Sequence, residues 1–383
     1  MLSNRNIKKW VEIYKKKYPI LVITGPRQSG KTTFLKTEFS DFRYVSLENP
    51  DTREFAENDT RGFLEAYSDK VIFDEVQQVP KLFSYLQGIV DENKVMGQFI
   101  LSGSQNFNLM ASITQSLAGR VAIFRLFPFD LSEMKAANWL RDSLPEVMIK
   151  GFYPAIFDRE IDPIKYYRDY IDTYVKRDIS QLVNVQDTQT FKKFINLCAE
   201  RASQQLNYTN LARDAGVSHT TVRNWLSHLD TSYITFSVHP FYKKYGKRLV
   251  KSPKLYFYDT GLLCRLLNIK LEELNPLHPH WGALFENLVV SELHKQAAHR
   301  LLDREFYYWR DSNGNEVDLL FNENLALNLI EIKASTTIQG SMFKGLDYLA
   351  DLAAKETVNR TLIYGGMQNQ KRTDYDIVSW FNL

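Results

Sequence analysis

The sequence predicts an α/β protein of more than one domain, and three observations carry that reading. At 383 residues the chain exceeds the roughly 100 to 200 residues of one domain, which calls for two or three. Apolar runs at residues 20–24, 42–47, 71–73 and 99–101 each suit a buried strand, and the stretches between them suit helices, as in a mostly parallel sheet. The first run leads straight into a glycine-rich turn and a helix-compatible stretch. With 44% hydrophobic and 24% charged residues the chain has apolar mass for sizeable cores, which excludes a disordered or collagen-like chain.

The turn after the first strand reads Gly25-Pro26-Arg27-Gln28-Ser29-Gly30-Lys31-Thr32, followed by Thr33, and fits G-x-x-x-x-G-K-[ST] in its required strand-before, helix-after context. Glycines let backbone N–H groups curl around phosphates, Lys31 reaches the β and γ oxygens, the Thr32 hydroxyl ligates Mg2+, and the helix amino terminus adds positive potential. Hydrolysis also needs a carboxylate for the metal shell and a group that orients water. The third run ends in Asp74-Glu75 and supplies both, Asp74 to Mg2+ and Glu75 to the water, although adjacent acids also describe a solvated strand end. The fourth run ends in Ser102-Gly103-Ser104, where Ser104, with Ser102 behind it, would sense the γ-phosphate or position water; a plain strand-to-loop turn accounts for them too. Arg120 has the chemistry of an arginine finger, in cis or from a neighbouring subunit, and also that of an ordinary surface arginine. A finger in trans would require a homo-oligomer, such as a ring.

Beyond Pro128 the pattern turns helical: Tyr167, Tyr170, Ile171, Tyr174, Val175 and Leu182 recur at helical spacing, so a helical connection is expected over 131–188. Three short amphipathic helices then follow up to about Leu229. Gly216 supplies a turn and Ser218 a cap, the order of a helix-turn-helix. Val222, Trp225, Leu226 and Leu229 would face a core, leaving His219, Thr220, Arg223 and Asn224 outward for DNA. A basic run with Lys243, Lys244, Lys247, Arg248, Lys251 and Lys254, laced with Phe241, Tyr242 and Tyr245, would form a wing suited to phosphates. A packing module with a solvated basic loop fits the same residues.

Strand patterns return after Arg304, at 306–309, 317–321, 326–332 and 361–364, with a helix expected over 343–354. Glu316 and Asp318 share one strand face, and Glu331 and Lys333 share one face of the next. Glu286 lies inside an apolar helix, where an unpaired carboxylate is expensive to bury. These groups would converge on one pocket, although alternating charges describe any half-exposed sheet.

Two resemblances attach to these residues. Residues 25–33, 72–76, 100–104 and 117–120, together with 174–179 and 258–262, look like the prokaryotic AAA-type P-loop ATPases that carry a C-terminal winged-helix and nuclease-like region. That likeness covers nearly the whole chain and implies binding and hydrolysis of ATP. The acid on one strand, E-x-K on the next and Glu286 on a preceding helix resemble the restriction-endonuclease-like PD-(D/E)XK core. There Asp318 and Glu331 would hold a divalent metal, Lys333 would stabilise the attacking water or the transition state, and Glu286 would complete the shell. The expected division is 1–130 ATPase core, 131–188 helical lid, 189–255 winged helix and 256–383 nuclease-like domain. The leading function is a Mg2+-dependent ATPase acting on DNA. An ATP-gated nuclease and a regulatory switch binding a protein partner stand as alternatives.

The remaining composition narrows little. A net charge of +3 argues neither for nor against a polyanionic partner. Cys198 and Cys264 lack metal-ligand or C-x-x-C spacing, so disulfides and structural zinc are not expected. The first residues lack a signal-peptide pattern and no run spans a bilayer, which makes a cytoplasmic location the expectation.

Overall fold

A computed structural model describes residues 4–104, 116–174, 188–241 and 252–383. The chain forms two compact units: residues 1–129 with 298–302, and residues 130–297 with 303–383.

The first unit is built on five strands, β1 (Ile20–Thr24), β2 (Arg43–Ser46), β3 (Val71–Asp74), β4 (Phe99–Gly103) and β5 (Val121–Arg125). They lie in the order β2-β3-β4-β1-β5 and every pairing is parallel. Alternate residues feed two cores: Ile20 and Val22 pack with Phe73, Phe99 and Leu101, while Leu21 and Ile23 pack with Ile72, Ile100 and Phe124. A sheet covered on both faces explains why the central strands run apolar without alternation over residues 20–23, 71–73 and 99–101. It also explains why β5 escapes a search for such runs: it is an edge strand, half-exposed at Val121 and Ile123, and its pattern is broken.

The second unit opens with short helices Leu131–Ala136, Leu144–Lys150, Pro154–Asp158 and Pro163–Tyr170; of the stretch expected to be helical, residues 175–187, with Val175 and Leu182, lie outside the described residues. Asp130 and Glu133 close the first with a capping box. Helices Thr188–Ala199, Tyr208–Ala215 and His219–Thr231 follow; Trp225 of the third is set edge-on against Phe191 and Phe194 of the first, each with ring centroids 5.1 Å away. The remaining strands are β6 (Thr235–Pro240), β7 (Lys254–Phe257), β8 (Tyr307–Arg310), β9 (Glu316–Glu323), β10 (Ala326–Lys333), β11 (Thr357–Tyr364), β12 (Gln370–Lys371) and β13 (Asp376–Ser379). They form one sheet in the order β12-β13-β11-β10-β9-β8-β6-β7. The β6–β7 hairpin, expected as part of a separate wing, joins the C-terminal strands through His239 and Pro240 beside Tyr307 and Tyr308. The expected boundary between residues 255 and 256 divides β7. Among the described residues no helix is long and apolar enough to cross a membrane, and both cysteines are free and buried.

Candidate functional site

Because the strands run parallel, the turn after β1 and the acids ending β3 lie at the same edge of the sheet, with β4 between them. Local sequence shapes the turn. Gly30 is left-handed (φ 93°) and starts helix Lys31–Glu38; a Cβ on Gly25 would fall 2.1 Å from the Leu126 carbonyl oxygen. Arg5, from the segment before the first helix, donates to the Ser29 carbonyl at 3.1 Å and to the Phe127 carbonyl, pinning the turn from behind. The Lys31 side chain curls back, its ammonium donating to the carbonyls of Gly25 (2.9 Å) and Pro26 (2.8 Å). Only 6% of Lys31 is exposed. Burial, partly opposed by Glu75 and Asp74, pulls its pKa down to about 8. The Ser29 hydroxyl is buried with no hydrogen-bond partner among the described residues, an orphan that a phosphate oxygen would satisfy.

Asp74 is the hub of the acidic side. It accepts from the Thr32 hydroxyl (2.9 Å), the Tyr44 phenol (2.5 Å), the Ser102 hydroxyl and the Glu75 N–H (3.2 Å). Magnesium takes oxygen ligands, and the Thr32 hydroxyl and Asp74 carboxylate converge as such a pair, so the donor set fits Mg2+. Glu75 sits at φ 55°, a left-handed geometry that costs a non-glycine residue about 1–3 kcal/mol. Gln77 and Ser104 (3.2 Å) donate to its Oε2 and hold the carboxylate in place. The two serines thus divide the acids between them, Ser102 on Asp74 and Ser104 on Glu75. Thr33 is exposed on the helix. Tyr44, Gln77 and Arg5 were not legible as site residues.

Arg120 requires a correction. It precedes β5, whose Val121 pairs with Ile20 at the amino end of β1, so it lies a strand's length from the phosphate turn. Five residues at ~3.3 Å each put that separation near ~16 Å, beyond an arginine's reach. Its guanidinium instead grips Asp91 at 2.6 and 2.8 Å. A finger acting in cis on its own turn is therefore excluded. At the turn's end of β5 the residue opposite Thr24 is Arg125.

In the second unit the expected helix pair is present. Asn207 and Ser218 cap helices Tyr208–Ala215 and His219–Thr231, and left-handed Gly216 makes the turn. Thr220, Arg223 and Asn224 are exposed while Val222, Trp225, Leu226 and Leu229 are buried. Arg223 lies over the Tyr208 ring, 5.5 Å from its centroid. Lys243, Lys244, Lys247 and Arg248 fall outside the described residues. Lys254, read as part of the basic wing, is 3% exposed and faces inward.

Its destination is the C-terminal carboxylate cluster. Ladder pairing of β9 and β10 ends at Leu319 and Ile330, and just beyond it Asp318 accepts the Ile332 N–H at 2.8 Å. Lys333 reaches Glu331 at 2.5 Å and Asp318 at 3.4 Å. Asp318, Glu331 and Lys333 therefore meet as expected, but Glu286 joins them through Lys254, whose ammonium lies 2.9 Å from Glu286, 2.6 Å from Glu316 and 3.8 Å from Asp318. Tyr256 donates to Glu286 at 2.7 Å and Arg310 to Glu316 at 2.8 Å. Burial raises Glu286 to about 7 and Glu331 to about 8, each opposed by its lysine. Carboxylates Glu286, Glu316, Asp318 and Glu331 thus share cations Lys254, Lys333 and Arg310. The expectation of a metal shell here does not fit: an ammonium already stands among the acids. Sequence reasoning missed Lys254 because lysines in a basic run ordinarily face water.

Residues 17–135 match the family described as AAA domain, 141–273 a domain of unknown function, DUF8612, and 281–383 another, DUF4143. Among solved structures, the Walker-type ATPase PABY2304 of Pyrococcus abyssi overlays with TM-score 0.45 at 12% identity, covering 69% of this chain and 96% of that one. AMPPCP-bound DnaA from Aquifex aeolicus overlays with TM-score 0.25 at 14% identity, covering 58% and 85%. Uncharacterized protein Rv2008c of Mycobacterium tuberculosis and uncharacterized protein Mb2031c of Mycobacterium bovis are each 32% identical over 332 residues, 83% of this chain and 71% of theirs. At that identity and coverage the chain belongs to the family of these two mycobacterial proteins, with an AAA domain over residues 17–135.

Proposed function

We propose that the protein is a Mg2+-dependent ATPase whose turnover serves a task on DNA. One observation carries the ATPase reading: Lys31 and Thr32, after β1, and Asp74 and Glu75, at the end of β3, come from two separate segments and meet at the carboxyl edge of one parallel sheet. The turn at residues 25–30 wraps the phosphates with its backbone N–H groups, Pro26 having none to give, and Lys31 exchanges its two carbonyl partners for β and γ oxygens. Thr32 and Asp74 would hold the magnesium, which would screen charge on the phosphates. Glu75, steadied by Gln77 and Ser104, orients and deprotonates the attacking water. Assembly into a homo-oligomer would let a neighbour present Arg120, and particle size with ATP bound tests that.

The DNA part rests on exposed Thr220, Arg223 and Asn224 along one face of helix His219–Thr231, a winged-helix arrangement with the β6–β7 hairpin. The division into ATPase core, helical lid, winged helix and nuclease-like end is retained in this reading, with β7 shared by the last two. ATPase rates with Lys31→Ala, measured with and without duplex DNA, test both parts. Turnover should vanish in the variant and rise with duplex in the parent; an unchanged rate in Lys31→Ala ends the ATPase assignment, and indifference to every DNA tried ends the other.

A further inference from the structure

We infer that Lys254 is the resident cation of the C-terminal carboxylate cluster, standing where the acid pattern calls for a divalent metal, so that this module takes no metal there. The residue comes from β7, at the far edge of the eight-stranded sheet, and is tied in from both sides. Val238 pairs with it on β6, and Gln205 bridges it from the segment before helix Tyr208–Ala215. Its side chain is 4% exposed and its ammonium addresses Glu286, Glu316 and Asp318. Those acids belong to a helix and to β9, and one positive charge among three carboxylates from two elements is the arrangement that a bound cation would otherwise provide.

Charge and space point the same way. Counting formal charges, four carboxylates against Lys254, Lys333 and Arg310 leave one net negative charge. A divalent ion added beside them would invert the sign and sit within a few ångströms of two ammoniums. At about 4 Å and an effective dielectric near 20, each unit-charge pair is worth enough to weaken metal binding at least about a hundredfold. Three of the four acids hold other donors as well: Glu286 receives Tyr256, Glu316 receives Arg310, and Asp318 holds the Ile332 N–H, while Glu331 keeps one buried oxygen, Oε2, with no hydrogen-bond partner among the described residues. Gly345 packs close behind, where a Cβ would meet the Glu316 carbonyl oxygen at 2.1 Å. The cluster thereby ties the β6–β7 hairpin to β9 and to helix Trp281–His299 by charge, independently of divalent ions. This inference does not depend on the phosphate turn or on ATP turnover.

Titration of the full-length protein with Mn2+, followed by electron paramagnetic resonance, decides it. The parent and Asp318→Asn, in which an amide oxygen still accepts the Ile332 N–H, should bind equal numbers of Mn2+ ions. Lys254→Met should bind one more, at least about a hundredfold tighter than any such site in the parent, and Lys254→Met with Asp318→Asn should lose it. A parent Mn2+ ion that disappears in Asp318→Asn overturns the inference, as does a folded Lys254→Met that gains none. Should Lys254→Met fail to fold, parent against Asp318→Asn decides alone: equal binding sustains the inference and a lost ion overturns it.

Discussion

Replacing Lys31 by methionine separates the cost of burying a charge from the use of that charge. The Lys31 pKa stands at about 8 in the folded protein against an ordinary 10.5. At about 1.4 kcal/mol per unit, the charged form at pH 7 costs about 3 kcal/mol relative to an unburied ammonium. Against that stand two hydrogen bonds to the Gly25 and Pro26 carbonyls, about 1 kcal/mol each. Lys31→Met should therefore leave the nucleotide-free protein equally stable or about 1 kcal/mol more stable at pH 7. Saturating ATP, which at a hundredfold its dissociation constant should stabilise the parent by about 2.7 kcal/mol, should not stabilise the variant. Calorimetry with and without Mg-ATP reads both. The lowered pKa also sets the pH dependence: between 8 and 10.5 the unfolded lysine holds a proton that the folded one has shed, so parent stability rises relative to Lys31→Met across that window, and below pH 8 the difference is constant. A nucleotide-free variant weaker by more than about 2 kcal/mol would refute the balance drawn here, and a variant still stabilised by ATP would refute the phosphate role.

Glu75→Gln should keep ATP binding while slowing hydrolysis about 10²-fold or more, since the amide cannot take a proton from water; single-turnover kinetics would show it. Gly25→Ala should cost about 3 kcal/mol or more, because its Cβ meets a backbone oxygen at 2.1 Å, while Gly119→Ala, with open space around it, should cost about 1 kcal/mol, both read by thermal unfolding. Trp225→Ala should cost about 3–5 kcal/mol through loss of its contacts with Phe191 and Phe194. Arg223→Ala, on the exposed face of the same helix, should leave unfolding within about 0.5 kcal/mol of the parent and weaken duplex binding in a salt-dependent way.

What could be read beforehand follows the range of the interaction involved. The phosphate turn, the caps at Asn207 and Ser218 and the buried face of Val222, Trp225, Leu226 and Leu229 depend on neighbours within a few residues, so spacing reveals them. β5 was not legible because an edge strand needs no continuous apolar run. Arg120 was misplaced for a related reason: its distance from the turn depends on which end of β5 it occupies, and only parallel pairing with β1 settles that.

The order of residues is enough to mark an α/β protein with a glycine-lysine turn between a buried strand and a helix, a pair of acids ending another strand, and paired charges on two later strands. Backbone geometry and side-chain alternation are local, so those features stand in the order of residues. Which groups share a charge depends on the packing of distant segments. Tyr44 and Ser102 come to Asp74 from two different strands, and Lys254, drawn from a run of solvent-type lysines, comes to Glu286, Glu316 and Asp318 across the sheet and helix. An ammonium's partner is set by burial and distance in space, and neither is written in its sequence neighbours.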